Sequence, residues 1–152
     1  MFIVTSRRST DGHCRTAWLN VLVSSDQDRR PRVVIADDHP LVLAAFEQIL
    51  QRECDVLAAV SSGHAAVETV TRLRPDILVV DLMLTDVDGM DVCRQVKHSV
   101  PDTHVIIVTA FDDDEVRRIA LDNGAAAYVA KYSAAGVLVP TIHQLCNTRP
   151  SP

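Results

Sequence analysis

Five polar residues in this sequence follow directly on short apolar runs. Asp37 and Asp38 follow Val33-Val34-Ile35-Ala36, Asp81 follows Ile77-Leu78-Val79-Val80, Thr109 closes the run at 104–108, and Lys131 closes the run at 126–130. Brought together, they would offer carboxylates, a hydroxyl and an ammonium group to one site. Each also has a plainer reading. Strands end at the surface, where Asp is common; Asp37-Asp38 suits a cap for the helix that follows; Thr109 is a β-former ending a strand; Lys131 is a solvated end. Their joint placement favours the site.

The elements that must position them can be read from periodicity. The run ending at Asp81 is short, apolar and bounded by turn signals, with Pro75-Asp76 before it and 86–89 after it, which suits a strand covered on both faces. The run 33–36 leads at once into Asp37-Asp38-His39-Pro40, and Pro40 suits the first turn of a helix. Leu41, Val42, Ala45, Phe46, Ile49 and Leu50 then recur at helical spacing.

The same unit repeats down the chain. Strands are expected at 56–60, 77–80, 104–108 and 126–130. Helices are expected at 63–73, with Ala66, Val67, Val70 and Leu73 inward, at 90–97, and at 112–123 with a stop at Gly124. The last helix, 133–146, contains Gly136 and Pro140, and an interior Pro costs about 3 kcal/mol, which predicts a kink near Pro140 or a helix that starts there.

Strands alternating with helices imply right-handed crossovers and a parallel sheet between two helical layers, a doubly wound α/β fold. Sites in such sheets lie beyond the carboxyl ends of the strands, where strand order reverses. In the order 2-1-3-4-5 the ends bearing Asp37-Asp38, Asp81, Thr109 and Lys131 fall side by side. The second strand, ending in Val60-Ser61-Ser62, adds nothing obvious.

Composition narrows the function class. The 152 residues fit one domain, and a formal charge of −5 argues against a broad nucleic-acid-binding surface. Cys14, Cys54, Cys93 and Cys146 form no C-x-x-C pair, so they read as free thiols rather than a zinc site or disulfide framework. No apolar run approaches the roughly 20 residues of a membrane span, and the run 18–23 is too short and too late for a signal peptide. A soluble cytoplasmic protein is expected. Residues 1–31, polar and turn-rich around a small apolar patch, read as a mobile extension, 32–147 as the domain and 148–152 as a tail.

Asp37-Asp38-His39-Pro40, Asp81-Leu82-Met83-Leu84-Thr85-Asp86-Val87-Asp88-Gly89, Thr109-Ala110 and Tyr128-Val129-Ala130-Lys131 together resemble the receiver domain of bacterial two-component response regulators. The opening Asp-Asp-His-Pro-Leu-Val and Gly124-Ala125-Ala126-Ala127-Tyr128 resemble the subgroup that carries a C-terminal helix-turn-helix, the LuxR type. The resemblance implies the flavodoxin-like receiver fold and a phosphoacceptor, Asp81, that takes a phosphoryl group from a histidine kinase. It implies Mg²⁺ held by Asp37, Asp38, Asp81 and the main-chain carbonyl of Met83, since crowded carboxylates need a cation and Mg²⁺ prefers oxygen ligands.

Lys131 and the Thr109 hydroxyl are then phosphoryl contacts. Thr109 and Tyr128 form the switch that alters the face of the fourth helix, fifth strand and fifth helix. Partners implied are the kinase, a second copy in a homodimer, and DNA only through a C-terminal domain for which this chain leaves no room. His39 reads as a loop residue or helix-start contact, and the acidic run 112–115 as a complement to a helix dipole. Two positions depart from the family pattern: Thr85 stands where Pro is usual, and Tyr132 where many members have a cis-Pro.

Two other classes share part of this pattern. An aspartate-nucleophile phosphatase of the haloacid-dehalogenase type also uses a strand-end Asp, a Thr, a Lys and Mg²⁺, but it needs an acid two residues after the nucleophile, where this chain has Met83. A stand-alone or unphosphorylated protein-binding module would keep the fold without the chemistry.

Overall fold

The computed structural model describes residues 29–148. Of the expected extension over 1–31 and tail over 148–152, residues 1–28 and 149–152 lie outside the described residues. Within them, β1 (Arg32–Ala36), α1 (Pro40–Leu50), β2 (Asp55–Val60), α2 (Gly63–Leu73), β3 (Ile77–Asp81), α3 (Gly89–Ser99), β4 (His104–Thr109), α4 (Asp114–Asp122), β5 (Ala127–Ala130) and α5 (Ala134–Asn147) follow in turn. A short 3₁₀ turn, Lys131–Ser133, links the last two. The sheet order is β2-β1-β3-β4-β5 and every pair is parallel, which is the doubly wound fold expected.

The two-residue period of a strand divides the core into two layers. Val34 and Ala36, Leu78 and Val80, and Val105 and Ile107 face one side, where they meet Ala66 and Val70 of α2, Val92 and Val96 of α3, and Ala120 of α4. Val33 and Ile35, Ile77 and Val79, and Ile106 and Val108 face the other, against Phe46 and Leu50 of α1 and Ala134, Leu138 and Ile142 of α5. All five residues of β3 are buried, which is why that stretch shows no polar alternation. Each fully buried aliphatic side chain contributes about 1.5–3 kcal/mol to that packing.

Helix ends follow local chemistry. Asp113 caps α4, its carboxylate accepting from the Glu115 and Val116 amides at 2.9 and 3.1 Å, so the helix begins two residues later than the acidic run predicts. Its far end closes at Gly124, where φ is +100°. The Ala125 amide donates to Ala120 and the Gly124 amide to Leu121, a pairing that needs the left-handed backbone glycine supplies. In α1 the apolar face is narrower than its spacing suggests: Phe46 and Leu50 are buried, while Leu41 in the first turn is 86% exposed.

The last helix corrects one expectation. It does not start at Pro140; it runs from Ala134 to Asn147 with Pro140 inside it. Ala134 and Leu138 before the proline and Ile142 after it are all buried against the sheet, so tertiary packing holds one helix across the break. Pro140 and Gly136, whose carbonyl loses its helical donor, are both exposed, where water can serve that carbonyl.

Cys54 and Cys93 are buried free thiols and Cys146 is partly exposed. Burial pushes Cys54 and Cys93 up to about 11, so both stay neutral at physiological pH. No helix among the described residues is long and apolar enough to cross a membrane.

Replacing Pro140 by Ala restores the missing amide donor at an exposed position. Urea denaturation of Pro140→Ala is expected to show a gain of about 1–3 kcal/mol. No gain would mean that the helix absorbs the proline without cost.

Candidate functional site

Register sets the site. Ala36 pairs with Val80 and Asp81 with Val108, so Asp37 and Asp81 leave neighbouring strands at the same level. Thr109 pairs with Ala130, one residue before Lys131. Asp37 and Asp81 are 1% and 3% exposed. Between them stands Lys131, whose Nζ lies 2.8 Å from Asp37 Oδ2 and 3.2 Å from Asp81 Oδ2.

The electrostatics follow from that crowding. Burial, reinforced by the Asp37 carboxylate, pushes Asp81 up from its ordinary value, against the Met83 amide and Lys131, which pull it down. Burial alone would lower the Lys131 pKa, but pairing with Asp37 and Asp81 wins and holds the ammonium above its ordinary value.

The remaining acid, Asp38, is half-buried beside them. Its Oδ1 lies 3.0 Å from His39 Nδ1, which is also 3.3 Å from Asp37 Oδ1. Asp37 does not cap α1. It accepts the His39 amide at 2.8 Å, and the cap position itself is His39, whose side chain makes no capping bond.

This donor set suits a hard divalent cation. One ligand atom each from Asp37, Asp38, His39 and Asp81 falls within 4.8 Å of the others. Asp37 Oδ2 and Asp38 Oδ1 are buried, and each faces one nitrogen at close range, Lys131 Nζ at 2.8 Å and His39 Nδ1 at 3.0 Å, with no further donor among the described residues. Buried carboxylate oxygens short of donors are costly unless a cation or proton takes them. Met83, two residues past Asp81, donates its amide to Asp81 Oδ1 at 3.2 Å, and its side chain is exposed.

Thr109 and Tyr128 form a second group. Thr109 is fully buried, and its hydroxyl accepts the Phe111 amide at 3.1 Å, so it is turned toward its own loop rather than the carboxylates. Tyr128 is buried in the core layer beneath α4, and its hydroxyl donates to the Phe111 carbonyl at 2.9 Å. Burial pushes the Tyr128 phenol up, opposed by hydrogen bonding with Thr109. The structure therefore brings Asp37, Asp38, Asp81 and Lys131 into one pocket and places Thr109 with Tyr128 beside it.

Arg117 escaped notice in the sequence. It lies 5.0 Å from the Tyr128 ring centroid, donates to the Tyr128 carbonyl at 3.2 Å and pairs with Asp112 at 2.6 Å. Asp112 also accepts the Tyr132 hydroxyl at 3.1 Å. An arginine on an exposed helix beside an acidic run gives no sequence signal of this kind.

The family model for the response regulator receiver domain matches residues 33–143. The chain belongs to that family. Among curated relatives, the receiver is 34% identical over 119 residues to the response regulator protein VraR of Staphylococcus saprophyticus, covering 76% of this chain and 56% of the relative. It is 37% identical over 105 residues to the oxygen regulatory protein NreC of Staphylococcus epidermidis, covering 67% and 48%. The chain thus spans about half the length of the curated relatives it matches.

The receiver domain of NarL from Mycobacterium tuberculosis superposes with a TM-score of 0.75 at 28% identity, covering 80% of this chain and 99% of that one. A LuxR-family DNA-binding response regulator from Staphylococcus aureus gives 0.72 at 25% identity, covering 77% and 99%. Of these, the Staphylococcus aureus protein is a LuxR-family regulator, and this chain carries the receiver domain of a response regulator, a signalling domain.

If Lys131 offsets the carboxylates, its loss is felt in stability. In cation-free buffer Lys131→Met is expected to lower stability by about 1–3 kcal/mol in urea melts, and Asp81→Asn in the same background to recover part of the loss. Equal stability of Lys131→Met and the parent would show that the ammonium does not carry this burden.

Proposed function

We propose that the receiver is phosphorylated on Asp81 by a partner histidine kinase and controls transcription through a DNA-binding output domain. The observation that best supports the reading is the Lys131 ammonium lodged between the Asp37 and Asp81 carboxylates at the strand ends. The domain so defined spans 32–147 and acts in the cytoplasm, alone or as a homodimer.

Asp37, Asp38, Asp81 and the main-chain carbonyl of Met83 would hold Mg²⁺. When bound, Mg²⁺ neutralises the crowded carboxylates and the phosphoryl oxygens. An Asp81 oxygen attacks the phosphorus in line. The new O–P bond forms as the N–P bond of the kinase's phosphohistidine breaks, and the electron pair departs with the imidazole.

Lys131 stays within reach of Asp81 and transfers its pairing to a phosphoryl oxygen. The Thr109 hydroxyl gives up the Phe111 amide to donate to another. Because Phe111 also accepts from Tyr128, that rearrangement frees the Tyr128 hydroxyl and alters the α4–β5–α5 face.

Incubation with Mg²⁺ and acetyl phosphate is expected to add one phosphoryl group, located on Asp81 by mass spectrometry, absent in Asp81→Asn and prevented by chelating the metal. Labelling that persists in Asp81→Asn, or none in the parent chain under conditions that label another receiver, would defeat the reading.

A further inference from the structure

We infer that Asp86 is a positioning residue for this site: by capping the neighbouring helix α2 it fixes the loop that carries Met83, and so sets how tightly the site holds its divalent cation. The inference rests on the reading above, in which the Met83 carbonyl belongs to the cation's shell.

The loop 82–88 leaves β3 immediately after Asp81 and is tied at two points. At its base the Gly89 amide donates to the Leu82 carbonyl at 2.9 Å, and a Cβ on Gly89 would lie 2.5 Å from the Asp81 carbonyl oxygen, so the chain closes directly on the strand end. At its crown Asp86 reaches across to α2. Its Oδ1 accepts the Gly63 amide at 2.8 Å, and its Oδ2 accepts the His64 amide at 3.0 Å and lies 2.8 Å from His64 Nδ1. The backbone is pressed close as well, since a Cβ on Gly63 would sit 2.9 Å from Val87 Cβ and 3.2 Å from the Val87 oxygen.

The helix needs this contact as much as the loop does. The first four amides of an α-helix have no partner within it. In α2 the regular ladder begins with the Ala66 amide on the carbonyl of the cap residue Ser62 at 3.0 Å, and the Ala65 amide before it is taken by the Ser62 hydroxyl at 3.1 Å. The Gly63 and His64 amides are taken by Asp86, a residue from a different loop. Hydrogen bonds from those amides hold the Asp86 carboxyl far below the usual carboxylate range, so it remains an anion at the positive end of α2.

Thr85 makes the clamp consequential. A proline there would preset the loop's φ, whereas threonine leaves it free. The geometry between Asp81 and Gly89 then depends on an anchor outside the loop. Met83 lies between the two ties, with its amide already on Asp81. The strand end that offers no reacting group, that of β2, thus contributes indirectly by presenting the amides to which the loop is fastened.

The test uses the full chain and Mg²⁺ as the probe. Isothermal titration should show the Mg²⁺ dissociation constant of Asp86→Ala raised about tenfold, with the acetyl phosphate labelling rate at saturating Mg²⁺ within about twofold of the parent. Adding Thr85→Pro to Asp86→Ala should recover most of the affinity, which a general loss of stability would not allow. Gly63→Ala keeps the carboxylate but pushes the loop away, and it should weaken Mg²⁺ in the same sense should Asp86→Ala fail to fold.

Unchanged Mg²⁺ affinity in folded Asp86→Ala, or in Gly63→Ala where the former does not fold, would overturn the inference. So would a lower rate at saturation with affinity intact, or no recovery with Thr85→Pro. A parent chain that neither binds Mg²⁺ nor labels on Asp81 would instead overturn the function proposed above.

Discussion

Asp37 and Asp81 end adjacent parallel strands at one level, buried, with a single ammonium between them. Parallel pairing forces that adjacency, because the register matching Ala36 to Val80 leaves the next residues side by side. Like charges so placed are tolerated only beside a cation. Lys131 supplies one positive charge, against the three carboxylates of Asp37, Asp38 and Asp81 gathered there. The arrangement therefore favours added positive charge beside Asp81, the condition a phosphoryl acceptor needs in the function proposed for it.

Much of this was legible from residue order. Apolar runs that stop at a polar residue identified all five strands of the described residues, most plainly β1, β3 and β4, which are buried on both faces and show no polar alternation, and less so the partly buried β2. Alternation with helices gave the parallel sheet but not its order; the order 2-1-3-4-5 was the one that sets the polar ends side by side, and the sheet has it. What escaped depended on contacts distant in sequence. Helical spacing could not show that Leu41 is exposed while Phe46 is buried, since the sheet covers only part of α1. Nor could the proline in α5 reveal that Leu138 and Ile142 hold one helix together across it.

The same limit applied around the site. Asp37-Asp38 resembled a helix cap by composition, yet Asp37 is turned to Lys131 and to the His39 amide. Val60-Ser61-Ser62 looked silent because the partner of the amides that follow it, Asp86, lies in another loop. Arg117 acquires its role only when α4 packs beside β5. Residue type reveals a group that must react; it says little about a group that acts through a neighbour.

The burial of β3 on both faces has a further consequence for how a signal would travel. A strand buried along its whole length is among the last segments of a domain to open, so its amides exchange hydrogen only near global unfolding. The loop carrying Phe111 and Asp112 is exposed, and β5 is the sheet's short outer strand. Added charge at Asp81 would therefore arrive where the chain cannot yield and be accommodated in the exposed loop that Thr109 and Tyr128 contact through Phe111. That gradient of local stability gives the response a direction, outward from the centre of the sheet toward the α4–β5 edge.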